Sequence, residues 1–479
     1  MLTDDQVNAI AERVLALLNQ RDDSRPIRAP IPSERHELPI GIFATVDDAV
    51  QAAAEAQRQL MRLTLAKRDE IITSMRTVLR EHAADLAKQA HAETGLGRVE
   101  DKIRKNLLAI EKTPGMEDLA PVARTGDRGL MLMEPAPYGV IAAITPVTNP
   151  TATIICNAIG MVAAGNGVVF NVHPNAQKVS IQNVHLINEA IVKVGGPPNL
   201  VSAIAAPTIE SAQELMRHGG VRLLVVTGGP GVVKEAMNSG KRAICAGPGN
   251  PPIVVDETAD IEKAARDIVI GASLDNNIIC VDEKELFVVD SVADELTAAM
   301  SKQGAVCLDP VQRRQLERLI FTKMDAPGKP AEVDKALVGK NAGVILSRLG
   351  IVAGDDLRLI VVEVEKSHPL VWTEQMIPVL PLVRVASADE GIDLAKEVEG
   401  GLRHTAVMHS RNIDNLSRMA REMDCSIFVK NGPGAAGLGF GGEGYCSFSI
   451  ASPTGEGLTR PRSFTRERRC TLVDHFRIT

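Results

Sequence analysis

One thiol in this chain stands in a setting suited to nucleophilic chemistry. Cys280 lies near the centre of GASLDNNIICVDEKELFVVD (271–290), between a polar Asp-Asn-Asn approach and a segment that runs into the apolar strand Leu286–Val289. A strand so close in sequence fixes the backbone carrying the thiol, as attack on carbon in one orientation requires. Residue type alone leaves the assignment open, because buried structural cysteines are common and the chain has seven cysteines. A second candidate is VVTGGPGVV (225–233), where a strand over 223–227 passes through Gly228, Gly229 and Gly231 into a helix expected to begin near Val232. Backbone N–H groups at such a helix start can approach phosphate oxygens, although many strand-glycine-helix turns are purely structural. Gly432, Gly434 and Gly437 form a formal GxGxxG, but more glycines and Pro453 follow where a helix is required, so no pyrophosphate site is expected there. Asn149, ahead of Pro150, offers an amide, and Glu374, in TEQMIPVLP, offers a carboxylate. A turn-forming asparagine and a solvated acid are equally ordinary readings of these two.

The alternation of the chain supplies a framework for these groups. Apolar runs at 139–145, 167–172, 200–205 and 223–227 are separated by helical stretches, which predicts a doubly wound parallel sheet with ligands at the carboxyl ends of its strands. A second αβ series follows, with strands at 251–256 and 285–290 and helices near 260–272 and 291–302. LRLIVVEV (357–364) and IFVK (427–430) read as further strands and 432–445 as a loop, while 303–356 has no pattern regular enough to place elements. From Thr45 to about Glu111 the chain reads as helices, with a long one from Thr64 to Glu93 stopped by Gly95 and Gly97. The Pro- and Gly-containing segment 120–138 suits an excursion from the main fold. At the N-terminus, Thr3 and Gln6 in capping-box spacing precede Val7, Ile10, Val14, Leu17 and Leu18 on one helical face. Residues 21–41, with Pro26, Pro30, Pro32 and Pro39, read as an extended tether.

Bulk properties narrow the function classes. At 479 residues the chain should divide into two or three domains. A net charge of -7 and an aromatic content of 3% give neither the basic footprint nor the stacking groups of a nucleic-acid binder. No apolar run approaches the roughly 18 residues of a membrane span, and Asp4 and Asp5 stand where a secretory signal would be basic, so a cytoplasmic protein is expected. Cysteines at 156, 245, 280, 307, 425, 446 and 470 form neither a disulfide framework nor a metal-binding pattern, so free thiols and no metal are expected.

Several long motifs in one order then identify a resemblance. The cysteine stretch, TPVTNPT (145–151), VVTGGPGVV, AGPGNPPIVVDETAD (246–260), HTAVMHSRNID (404–414), IFVKNGP (427–433) and SPTGEG (452–457) are similar to the aldehyde dehydrogenase superfamily, and specifically to its CoA-acylating branch in bacterial microcompartments. The resemblance covers nearly the whole chain. It implies an α/β, aldehyde dehydrogenase-like fold with a doubly wound NAD-binding domain (42–119 and 139–246), an α/β catalytic domain (247–451) and a small oligomerisation hairpin (120–138 and 452–479, with a strand at 471–478). It also implies that residues 1–20 form an encapsulation helix docking on microcompartment shell protein through 1–18, followed by the 21–41 linker. The assembly would be a homodimer or homotetramer.

For the chemistry, the resemblance makes Cys280 the nucleophile, attacking an aldehyde to give a thiohemiacetal and, after hydride loss to NAD+, a thioester. Asn149 would supply the oxyanion amide, although alignment on Pro146 and Pro150 sets Thr148 on the asparagine of hydrolytic relatives. Thr145, Pro146, Thr148, His173, Thr227, Gly228, Gly229 and Val232 fall on the cofactor-binding positions, and Glu374 on the acid that orients the nicotinamide ribose. Asn171 and Pro174 stand where hydrolytic relatives often place Lys and Glu for the adenosine ribose; with no Arg nearby, NAD is expected over NADP. ICAGPGN (244–250) lacks the Glu that activates water in hydrolytic relatives, and carries Cys245 and Ala246 instead. Coenzyme A therefore becomes the expected acyl acceptor and a short-chain aldehyde the substrate, propionaldehyde before acetaldehyde. His404 and His409 are expected to be structural. The competing readings are a hydrolytic enzyme, which would form acid without CoA, and a non-catalytic microcompartment component, whose Cys280→Ala variant would be unaltered.

Overall fold

Short apolar runs alternating with helices give two parallel sheets, described by a computed structural model over residues 38–324 and 326–479. The helix expected at 3–18 and the tether expected from 21 lie, up to residue 37, outside the described residues. The first sheet has six strands in the order Ile42–Phe43, Val201–Ile204, Gly167–Asn171, Val140–Ile144, Val221–Thr227 and Ala243–Ala246, each parallel to its neighbour. Val140–Ile144 is buried along its whole length, which is why VIAAI is continuously apolar instead of alternating. From it the chain winds outward to one side, then returns to place Val221–Thr227 on the other. Ile144 pairs with Val226, so Thr145 and Thr227 leave the sheet side by side at this switch in winding direction. A crevice opens outside the strand ends at such a point.

The second sheet has seven parallel strands, in the order Ala305–Cys307, Leu359–Glu363, Val379–Val385, Glu285–Val289, Pro252–Val255, Thr405–His409 and Ile427–Lys430. Glu285–Val289 is central and wholly buried, and Cys280 precedes it by five residues. The segment 303–356, which has no regular pattern in sequence, contains helices Pro310–Ile320 and Ala342–Ser347. Helices Ala388–Glu399 and Ile413–Met423 complete this half.

Val122–Gly126, Gly129–Pro137 and Thr465–Val473 form a separate antiparallel sheet. This corrects the strand expected at 471–478. The strand begins six residues earlier, through the charged run TRERR, and ends before Asp474, whose φ of 63° leaves the extended region. The ladder is exposed, so it needs no apolar alternation, and apolar pattern misplaced it. Upstream of the strand, Phe464 is buried beside Gly160 of the helix Pro150–Ala163, and its carbonyl accepts from Asn166 Nδ2 at 2.9 Å. Among the helices, Leu65–Thr94 carries a Thr64 N-cap and a left-handed Gly95 C-cap, one residue from the expected end.

Candidate active site

A cavity of about 850 Å³ lies where the carboxyl ends of the first sheet face the Cys280 segment. All eleven residues singled out from sequence line it: Cys280, Asn149, Thr145, Pro146, Thr148, His173, Thr227, Gly228, Gly229, Val232 and Glu374. Ile278, two residues before Cys280, and Met376, Leu438 and Phe448 from segments distant in sequence also line the cavity; sequence pattern gave no signal for the last three.

Cys280 is partly exposed and hangs from a tightly wound turn. Asp275, Asn276 and Asn277 are consecutive left-handed residues, with φ of 46°, 58° and 66°. Asp and Asn tolerate this region because their side chains can bond nearby backbone. Here the side chains do so throughout: Asp275 Oδ1 accepts from Arg98 N–H at 2.6 Å, Asn276 Nδ2 donates to Gly339 O at 2.8 Å, and Asn277 Nδ2 donates to Ala272 O and Glu283 O at 2.9 and 2.8 Å. Beyond the thiol, Asp282 Oδ2 accepts from Ile279 N–H at 2.9 Å, and Lys284 Nζ donates to Asn277 O at 2.8 Å. Asp282, Glu283, Lys284 and Glu285 are all fully buried. Burial, then the carboxylates of Glu374 and Asp282, push the Cys280 thiol up to about 12, and Lys284 acts in the opposite direction.

Asn149 stands just before helix Pro150–Ala163 and gives that helix no side-chain cap. Its Oδ1 accepts from Lys105 Nζ at 2.5 Å, and its Nδ2 donates to Thr148 Oγ1 at 3.3 Å. Lys105, buried in helix Val99–Lys112, was not suggested by sequence.

The glycine turn runs differently from expectation in one detail. The helix after Gly229 starts at Pro230, two residues before Val232, because proline is preorganised for a first helical position and lacks an N–H that would go unpaired there. Nothing lies within 4 Å of where a Cβ would stand on Gly229 or Gly231. Open space against free helix-start amides suits a diphosphate, so the residues fit a dinucleotide here. Thr227 Oγ1 is hydrogen-bonded to Ser449 Oγ at 2.8 Å, and His173 Nδ1 accepts from Asn175 N–H at 3.1 Å. Glu374 Oε1 accepts from Gly249 N–H at 3.3 Å; burial raises its pKa against the pull of Lys284.

The stretch 244–250 places no carboxylate in the cavity. Cys245 is buried in strand Ala243–Ala246, its N–H donating to Thr454 Oγ1 at 3.0 Å, and burial first, then Glu456, push its thiol up to about 11. The rejected glycine run forms one five-residue 3-10 turn, Gly434–Leu438. A Cβ on Gly434 would meet Val281 O at 2.3 Å, so this glycine permits close packing beneath the Cys280 segment. His404 is buried, with Nδ1 bonded to Thr405 Oγ1 at 2.8 Å; burial and Lys284 lower its pKa to about 4. Among the described residues no helix is long and apolar enough to cross a membrane.

Two parallel-sheet halves therefore meet at one cavity that holds both Cys280 and the strand-glycine-helix turn. Residues 35–308 and 358–457 match the aldehyde dehydrogenase family, and the chain belongs to that family, in its CoA-acylating branch. It is 52% identical to acetaldehyde dehydrogenase (acetylating) EutE of Salmonella typhimurium over 463 residues, 96% of this chain and 97% of that one. Propanal dehydrogenase (CoA-propanoylating) of the same organism is 46% identical over 439 residues, 91% of this chain and 93% of its own. The crystal structure of Rhodopseudomonas palustris propionaldehyde dehydrogenase, with bound CoA and an acylated cysteine, superposes with a TM-score of 0.88 at 49% identity, covering 91% of this chain and 98% of that one.

Proposed function

We propose that this chain converts acetaldehyde or propionaldehyde, with NAD+ and CoA, to the acyl-CoA and NADH. The observation that carries this reading is a single cavity joining Cys280 to the glycine turn while the segment 244–250 contributes no carboxylate to it. Cys280 gives up its thiol proton, the one released overall with NADH, and Sγ bonds to the aldehyde carbon as the carbonyl π pair moves to oxygen; the resulting oxyanion accepts from the Cys280 N–H and from Asn149 Nδ2. Gly228, Gly229 and Val232 hold the dinucleotide diphosphate; Thr145, Pro146, Thr148, Thr227 and His173 shape its channel; and Glu374 orients the nicotinamide ribose. NAD+, when bound, accepts the hydride leaving the thiohemiacetal carbon. The thioester on Cys280 persists because the segment 244–250 supplies no glutamate to activate water, and the CoA sulfur attacks its carbonyl and expels Cys280, whose sulfur regains a proton as the CoA thiol loses its own.

The exposed strand Thr465–Val473 at the edge of the small sheet supports pairing into a homodimer or homotetramer, since an open edge invites another strand. Residues 1–18 are proposed to dock on shell protein, placing the enzyme in a cytoplasmic microcompartment.

The test is NADH formation from each aldehyde with and without CoA, with the product identified by mass. CoA-dependent formation of acyl-CoA is the expected outcome; CoA-independent release of the carboxylic acid would overturn the proposal.

A further inference from the structure

We infer that Lys105 is a positioning residue for acylation, holding the Asn149 carboxamide and the turn before Cys280 in one register. The inference rests on the reading of Asn149 as oxyanion donor. An ammonium carries three donors and no acceptor, so the Asn149 atom it meets at 2.5 Å must be the carbonyl oxygen. The reversed amide would set an NH2 group against the ammonium. Lys105 therefore dictates which end of the carboxamide is left over. One Nδ2 proton lies toward Thr148 Oγ1, at 3.3 Å, and the other is available to the cavity that Asn149 lines.

The same ammonium also bonds Asp275 Oδ2, which Lys102 Nζ reaches at 2.9 Å. Asp275 is the first of the three left-handed residues leading to Cys280, and its other oxygen fastens Arg98 N–H. The Lys105 and Asp275 side chains are 3% and 0% exposed. One buried cation thus ties an amide donor at the start of helix Pro150–Ala163 to the segment bearing the nucleophile. Burial and pairing give these groups little freedom to rearrange, so the relative placement of thiol and amide is fixed before substrate binds. Lys102 remains beside Asp275 when Lys105 is removed, so a neutral replacement at 105 leaves a matched ion pair.

The test is a double-mutant cycle of Lys105→Met with Asn149→Ala, reading the single-turnover rate of NADH formation, the KM for NAD+ and the melting temperature. Lys105→Met should slow acylation at least about tenfold, with KM changed by less than about twofold. In the Asn149→Ala background the same substitution should cost less than about threefold, because the amide it orients is gone and Lys102 still pairs Asp275. Equal losses in both backgrounds would overturn the inference while leaving the role of Asn149 intact. No loss in Asn149→Ala alone would overturn that role, and the inference with it. Lys105→Gln, which keeps a donor amide one bond shorter than the ammonium, is carried through the same cycle; its rate should fall between wild type and Lys105→Met, and it stands in if the methionine protein does not fold.

Discussion

On the nucleotide side of the cavity, the turn from Thr227 to Val232 is shaped by its backbone: Gly229 and Gly231 face open space. On the cysteine side, nearly every residue from Asp275 to Glu285 is buried, and side-chain bonds hold the chain through three left-handed residues. A bound dinucleotide supplies its own charges and needs mainly vacant volume and free amides. A nucleophile must hold one orientation without help from a ligand, so its support is built into the protein. Substitutions on the cysteine side should therefore damage the fold, and those on the glycine side should damage binding.

The largest difference should come from Asp275→Ala. It leaves Lys102 and Lys105, both buried, without their shared carboxylate. Burial alone raises the Asp275 pKa, yet the two ammoniums hold it below its ordinary value, showing how much their field matters there. The variant should lose about 3–5 kcal/mol of stability, read by denaturant unfolding. A loss below about 1 kcal/mol would mean that the pair behaves as a surface salt bridge and that the proposed contrast fails.

A matched pair of glycine substitutions sharpens the comparison. A Cβ on Gly249 would stand 2.6 Å from Cys280 O and 2.9 Å from His404 Cγ, so Gly249→Ala must displace the nucleophile's backbone. It should cost about 1–3 kcal/mol and lower kcat. Gly229→Ala meets nothing, so its melting temperature should be unchanged while the KM for NAD+ rises severalfold. If both variants shifted only KM, the two walls would not differ in kind.

The smallest effect concerns the thiol itself. With its pKa pushed up to about 12 by burial and nearby carboxylates, Cys280 in the free enzyme is protonated at neutral pH. Its alkylation by iodoacetamide should accelerate about tenfold per pH unit between pH 7 and 10, measured by mass of the labelled peptide. A plateau near pH 8 would show that the turn stabilises the thiolate before any ligand arrives.

Much of the fold was legible because strands buried on both faces carry unbroken apolar runs, such as Val140–Ile144 and the Leu286–Val289 part of Glu285–Val289. Thr405–His409 and helix Ile413–Met423 were passed over because a short strand ending in Met-His resembles loop in isolation. The strand Thr465–Val473 was misplaced because its exposed, charged half carries no apolar signal.

The sequence by itself determined the two αβ series, the Thr64 and Gly95 caps of the long helix and the strand-glycine-helix turn, because each is written in neighbouring residues. Tertiary structure alone decided what helix Val99–Lys112 does. Its inward face holds Asp101, Lys102, Lys105 and Asn106, spaced as a core face would be but made of groups that normally turn to water. They turn inward because their partners arrive from elsewhere in the chain: Asn149 and Asp275, 44 and 170 residues away, for Lys105, Asp275 also for Lys102, Arg358 for Asp101 and Thr151 for Asn106; no local pattern announces groups that only the folded chain can match.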